Sequence, residues 1–158
     1  LGRPILFYGG EEGKPDDYLI AINAIRNLFP ALSAGEAAVL MGHGGLHPAN
    51  AAYGALQVKL ADAGLENVFV YTVEGFPSLA EVIKKLKTDN IKKVVLIPFM
   101  LVAGAHVMND MIGDDKDSAR SQVVSAGIEV RAYLQGMGEN AAIQDIYIQH
   151  LKDIIDED

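Results

Sequence analysis

Apolar residues fall along this chain in short blocks separated by amphipathic stretches, and the blocks predict its architecture. The longest lies within Val94 to Asp110, VVLIPFMLVAGAHVMND. It begins as a β-branched, apolar run, the pattern of a strand buried on both faces. It breaks at Gly104 and delivers His106 just beyond. Glu36 to Met41 reads as a shorter strand feeding Gly42-His43-Gly44-Gly45. Asn67 to Val73 alternates and ends at Glu74-Gly75, and Ile128 to Leu134 is the last strand. Arg3 to Tyr8 reads as a strand or an extended lead-in.

Helical spacing fills the intervals. Tyr18, Leu19, Ile22, Ile25 and Phe29 form one stripe behind a cap at Asp16 or Asp17, ended by Pro30. A second helix starts near Pro48 and runs to about Asp62, where Gly64 stops it. Ser78 and Glu81 form a capping box for a third, to about Leu86. Asp117 or Ser118 caps a fourth, to about Ala126 before Gly127. The last spans about Asn140 to Ile154. Strands alternating with helices predict an α/β fold: a three-layer αβα sandwich around a parallel, doubly wound sheet of four to five strands. Crossovers should be right-handed. In such sheets the site lies beyond the carboxyl ends of the strands.

Composition narrows the function classes. The 158 residues suffice for one core burying roughly 70% of the unfolded surface. The net charge of −8 and the lack of a Lys/Arg cluster argue against nucleic acid. There is no Cys, which removes disulfides, thiolate metal ligands and a cysteine nucleophile. No apolar run is long enough to span a bilayer and no signal peptide is apparent, so membrane insertion is not expected. The expected compartment is the cytoplasm, with a periplasmic form left open. The chain opens at Leu1 rather than Met, which suggests a processed product or a piece of a longer protein.

Spacing then selects the chemistry. His43, Glu74 and His106 lie 31 and 32 residues apart. One βαβ step takes about 30 residues. Each therefore follows its own strand, and all three reach the same sheet edge. Two imidazoles and a carboxylate suit a divalent transition metal. The competing reading is that they are polar loop residues, with Glu74 solvated. Gly42-His43-Gly44-Gly45 resembles a phosphate-cradling turn but lacks the G-x-G-x-x-G spacing and the P-loop Lys. His47 is read as a solvated helix-entry residue that could assist His43, and His150 as a surface residue of the last helix. Asp114, Asp115 and Asp117 read as a capping turn rather than a Ca²⁺ or Mg²⁺ loop. No G-x-S-x-G elbow is present. Phe99 to Val102 is mostly core, with its last residues placed to line a pocket for a large flat ligand.

The segments LMGHGGLHPANAAY, TVEGFP, PFMLVAGAHVMNDMIGDDKDS and GMGENAAI resemble the anaerobic cobalt chelatases, the sirohydrochlorin cobaltochelatases of cobalamin biosynthesis. These are class II tetrapyrrole chelatases related in fold to ferrochelatase. The resemblance runs from about residue 36 to 155. It implies a chelatase-like lobe over residues 36–158, preceded by a connecting segment and helix over 1–35. It implies ATP-independent insertion of a divalent metal into sirohydrochlorin, with Co²⁺ as substrate and Fe²⁺ or Ni²⁺ as alternatives, and no nucleotide. His43, Glu74 and His106 fall on the family's metal-binding and catalytic positions. The family has two similar lobes, and this chain resembles the carboxy-terminal one. It would act as a homo-oligomer or with an amino-terminal lobe, or serve as a non-catalytic binding lobe of a split enzyme. Ala105 departs from the pattern, standing where an Asp is expected beside the His.

Overall fold

The computed structural model describes residues 2–155. Leu1 and residues 156–158, the outer ends of the domain spans expected from sequence, lie outside it. Four strands form one parallel sheet: β1 (Glu36–Gly44), β2 (Val68–Glu74), β3 (Lys93–Pro98) and β4 (Glu129–Ala132), in the order β2-β1-β3-β4. Five helices connect and flank them: α1 (Asp17–Ile25), α2 (Ala51–Asp62), α3 (Leu79–Thr88), α4 (Ala119–Ser125) and α5 (Ala141–Ile155). The Arg3–Tyr8 run joins no strand ladder, and only an isolated bridge links Gly9 to Asp16.

The strand period of two divides the interior into two cores. Ala38 and Leu40 of β1, Val68 and Val70 of β2 and Val95 and Ile97 of β3 face one side. There they meet Tyr18, Ile22 and Ile25 of α1, Leu56 and Leu60 of α2 and Ile143 and Ile146 of α5. Ala37, Val39, Met41, Phe69, Tyr71, Val94 and Leu96 face the other, against α3, α4 and one turn of π-helix at Val107–Met111. This is the three-layer αβα sandwich expected. The middle of each central strand, residues 37–42 of β1 and 94–98 of β3, is then buried on both faces, which explains why both read as near-continuous apolar runs.

Edge strand β2 is closed rather than left open. The Gln57 amide of α2 donates to the Val68 carbonyl (2.9 Å) and accepts from the Val70 N–H (2.8 Å), standing in for a missing neighbour strand. Helix starts follow the sequence. Asp16, not Asp17, caps α1 by accepting from the Leu19 N–H; Ser78 and Glu81 form the reciprocal box on α3; Ser118 caps α4. Pro48 opens a short 3₁₀ turn that leads into α2.

Several boundaries moved: α1 stops at Ile25 and a 3₁₀ turn over Arg26–Leu28 completes the stripe toward Phe29, and two strands differ more. β1 runs on through His43 to Gly44 because Gly42 and Gly44 still pair with Thr72 and Glu74 of β2. Two of the three glycines that looked like a turn, Gly42 and Gly44, are there for close packing. A Cβ on Gly44, at φ 78°, would stand 1.6 Å from the Glu74 carbonyl oxygen, so no other residue fits. β4 spans only four residues rather than Ile128 to Leu134, its ladder with β3 running from Lys93↔Glu129 to Leu96↔Ala132. Among the described residues no helix is long and apolar enough to cross a membrane.

Candidate metal centre

The carboxyl edge of the sheet collects the residues selected by spacing. His43 is the penultimate residue of β1 and follows Ala37, Val39 and Met41 in phase, so it emerges on the α3/α4 side. His106 immediately precedes the π-helical turn whose Val107 and Met111 anchor into that same core. The two imidazoles consequently meet edge to face, ring centroids 4.6 Å apart and planes at 85°. Single π-turns are over-represented at functional sites, and here the turn carries both His106 and its partner.

That partner is Asp110, one turn on. Its Oδ2 lies 2.6 Å from His106 Nδ1, and both side chains are 43% exposed. His43 Nδ1 lies 3.1 Å from the Gly44 carbonyl oxygen. Carboxylates and carbonyls only accept, so in the neutral rings both Nδ1 atoms carry the hydrogen. Among the described residues neither Nε2 has a hydrogen-bond partner. Two lone pairs are left at the rim of the sheet, available to a cation.

Glu74 ends β2 as the Cα partner of Gly44, so it shares the edge. Its orientation differs from that of the histidines. Val68 and Val70 face the α1/α2/α5 core, and the same phase carries exposed Glu74 to that side, across the sheet from His43. Among the described residues no three His, Asp or Glu side chains converge as a metal shell. The structure therefore joins His43 to His106 and leaves Glu74 at the same edge on the opposite face.

Two residues of the site carried no role in the sequence reading. Asp110 stands four residues after His106, a spacing that puts both on one helical face and so was available as a signal. Asn50 is buried and clasps two loops: it accepts from the Gly45 N–H (3.1 Å) and donates to the Phe76 carbonyl (2.7 Å). It thereby ties the turn after His43 to the turn after Glu74. Beside Asp110, the Tyr71 hydroxyl is the one buried side-chain polar atom without a partner among the described residues. Burial, with the Asp110 charge adding to it, pushes its phenol well above the ordinary range.

The other histidines have structural work. His47 Nδ1 accepts from the Ala49 N–H at the turn before α2. His150 corrects the surface reading: it is buried, with Nδ1 3.0 Å from the Arg3 carbonyl and Nε2 3.6 Å from Asp17. Its neighbours are charged, but it shares the core face of α5 with Ile143 and Ile146, and that periodicity decides its burial. In the acidic turn Asp115 accepts from the Asp117 N–H, as a turn carboxylate does.

The edge is an open rim. A concavity of about 830 Å³ lies elsewhere, lined by the amino-terminal segment and α5, and none of His43, Glu74 or His106 borders it. Large apolar side chains lie in the loops that leave this edge of the sheet. Leu46, Phe76, Leu101, Val102, Met108 and Leu134 are all exposed, and each follows the carboxyl end of a strand.

Known proteins extend this picture. Over 151 residues the chain is 38% identical to the sirohydrochlorin cobaltochelatase of Salmonella typhimurium, covering 96% of this chain and 54% of that protein. Over 153 residues it is 31% identical to the sirohydrochlorin cobaltochelatase CbiKC of Nitratidesulfovibrio vulgaris, covering 96% and 51%. The chain thus spans about half the length of these curated relatives. A multi-domain protein of Deinococcus radiodurans, described as structurally similar to chelatases, superposes with a TM-score of 0.52 at 17% identity, covering 84% of this chain and 28% of that one. At that identity the likeness speaks for the fold. The sequence model described as cobalt chelatase (CbiK) matches residues 1–156, and the chain belongs to that family.

Proposed function

We propose that this chain is the metal-handling lobe of a chelatase that inserts Co²⁺ into sirohydrochlorin without ATP, in anaerobic cobalamin biosynthesis. The observation that carries the reading is the His43–His106 pair, with rings 4.6 Å apart and both Nε2 atoms open at the carboxyl edge of the sheet. Imidazole binds divalent ions of this kind at about 2.0–2.1 Å. His106 is held by Asp110, so rotation about the broad χ2 of His43, whose ring meets only a neutral carbonyl, would turn its nitrogen toward an ion shared with His106. Glu74, at the same edge, would swing over the strand end as third ligand or charge partner.

Insertion requires that the ion lose water, that two pyrrole protons leave and that four ring nitrogens replace the protein ligands. A half-exposed pair with open positions holds an ion firmly enough to orient it and loosely enough to release it, whereas a closed four-ligand site would trap it. Histidine also accepts protons near neutral pH, so the same rings can receive those leaving the macrocycle. The exposed apolar residues in the loops after the strand ends suit the face of a large flat ring. Two imidazoles suit Co²⁺, Ni²⁺ and Fe²⁺ alike, so Co²⁺ is taken from the family.

The test follows Co²⁺ insertion into sirohydrochlorin by absorbance. His106→Ala should abolish insertion and leave the fold intact. Wild-type rates in that variant would overturn the assignment. The span of about half the relatives' length favours one second reading: a binding lobe that needs an amino-terminal lobe to catalyse. Spectral change only after such a lobe is added would favour it over activity of this chain alone.

A further inference from the structure

The two imidazoles are held differently. His43 Nδ1 meets only a neutral acceptor, the carbonyl of the next residue, at 3.1 Å. His106 Nδ1 meets a carboxylate at 2.6 Å, a short, charge-assisted contact. A carboxylate on Nδ1–H does two things to a ligating histidine. It fixes the tautomer that leaves the Nε2 lone pair free, and it raises the donor strength of that nitrogen. A carbonyl does the first and little of the second.

We propose that Asp110 is a positioning residue that locks His106 in its Nδ1–H form with Nε2 presented to the substrate metal ion, making His106 the strong and His43 the weak member of the pair. The proposal rests on the reading of His106 as a ligand of the incoming ion. It adds an order of events. The ion is held longest by His106, and His43 is the first protein nitrogen displaced as the ring nitrogens arrive. The geometry argues against a merely structural role for Asp110. Both partners are 43% exposed, and an exposed ion pair contributes little to folding. The π-helical turn that brings Asp110 under His106 is anchored by Val107 and Met111, both fully buried, so the turn does not need the pair to hold its shape.

The experiment uses the full 158-residue chain with ¹⁵N-labelled histidine. Nitrogen shifts of metal-free protein report the His106 tautomer, and titration with Co²⁺ alone reports affinity. Asp110→Ala should mix the tautomers and weaken Co²⁺ binding by about 10–100-fold, with an unchanged urea midpoint. Asp110→Asn can still accept from Nδ1–H, so it should keep the tautomer and recover part of the affinity. A wild-type tautomer and wild-type affinity in Asp110→Ala would overturn the proposal. His106→Ala is run alongside. If it binds Co²⁺ as well as wild type, the ligand reading fails, while the tautomer measurement still judges Asp110 on its own.

Discussion

Two clusters in this molecule pair a histidine with a carboxylate, and they do opposite things. At the junction of the amino-terminal segment, α1 and α5, Asp17 is buried and receives the Arg3 guanidinium (3.1 Å) and the Tyr8 N–H (2.9 Å). Arg3 also pairs with Asp153, and His150 closes the group with one nitrogen on a backbone carbonyl and the other facing Asp17. Among the described residues no buried side-chain polar atom there lacks a partner. At the sheet edge His106 has one nitrogen on Asp110 and the other open, and its side chain is half-exposed. The residue types match, so residue type does not distinguish structure from chemistry. The distinction lies in whether a ring nitrogen is left over and whether solvent, and hence a solute, can reach it.

The comparison breaks most readily at Asp17. Asp17→Ala removes the acceptor that Arg3 and the Tyr8 N–H share and that faces the buried His150, leaving Arg3 only Asp153, and should lower stability by about 3–5 kcal/mol in urea unfolding. A loss below about 1 kcal/mol would mean the cluster is more hydrated than its burial suggests. Next comes a crossed pair of variants. His150→Ala should cost about 1–3 kcal/mol and leave Co²⁺ affinity unchanged. His106→Ala should lose Co²⁺ binding and stay within about 0.5 kcal/mol of wild-type stability. Equal effects of both variants on both measurements would erase the distinction drawn here. A smaller effect is expected at Ser78→Ala, about 1 kcal/mol by thermal unfolding, since the cap on α3 serves folding and touches neither cluster. The smallest is Tyr71→Phe. The hydroxyl it removes has no partner among the described residues, so stability should hold or rise slightly. A clear loss would reveal a partner for the hydroxyl, with Asp110 the first candidate.

Much of the architecture was legible in the chain itself. The central strands are buried on both faces over residues 37–42 and 94–98 and so are apolar there, which makes β1 and β3 visible as runs. Helix starts were visible wherever a side chain must satisfy the first free N–H groups, as at Asp16, Ser78 and Ser118. The spacing of His43, Glu74 and His106 placed them at one edge because each βα step has a nearly fixed length. The edge strand β4 was less legible, since its side chains are mostly exposed and carry no continuous apolar signal.

Which way each side chain turns was settled only by the fold. Sequence separation fixes the edge a residue reaches but not the face it leaves by; that depends on strand phase, which a single residue reverses. So His43 and His106 meet on the α3/α4 side, and Glu74 departs toward the other. His150 looked exposed among charges until helix packing turned its face inward. Asp110 was four residues from His106 in the chain, yet its role depended on that stretch coiling into a π-turn rather than extending as loop. Local pattern is written in the chain because it follows from backbone hydrogen bonding and burial; the pairing of side chains distant in sequence is not, because it exists only once the layers have packed.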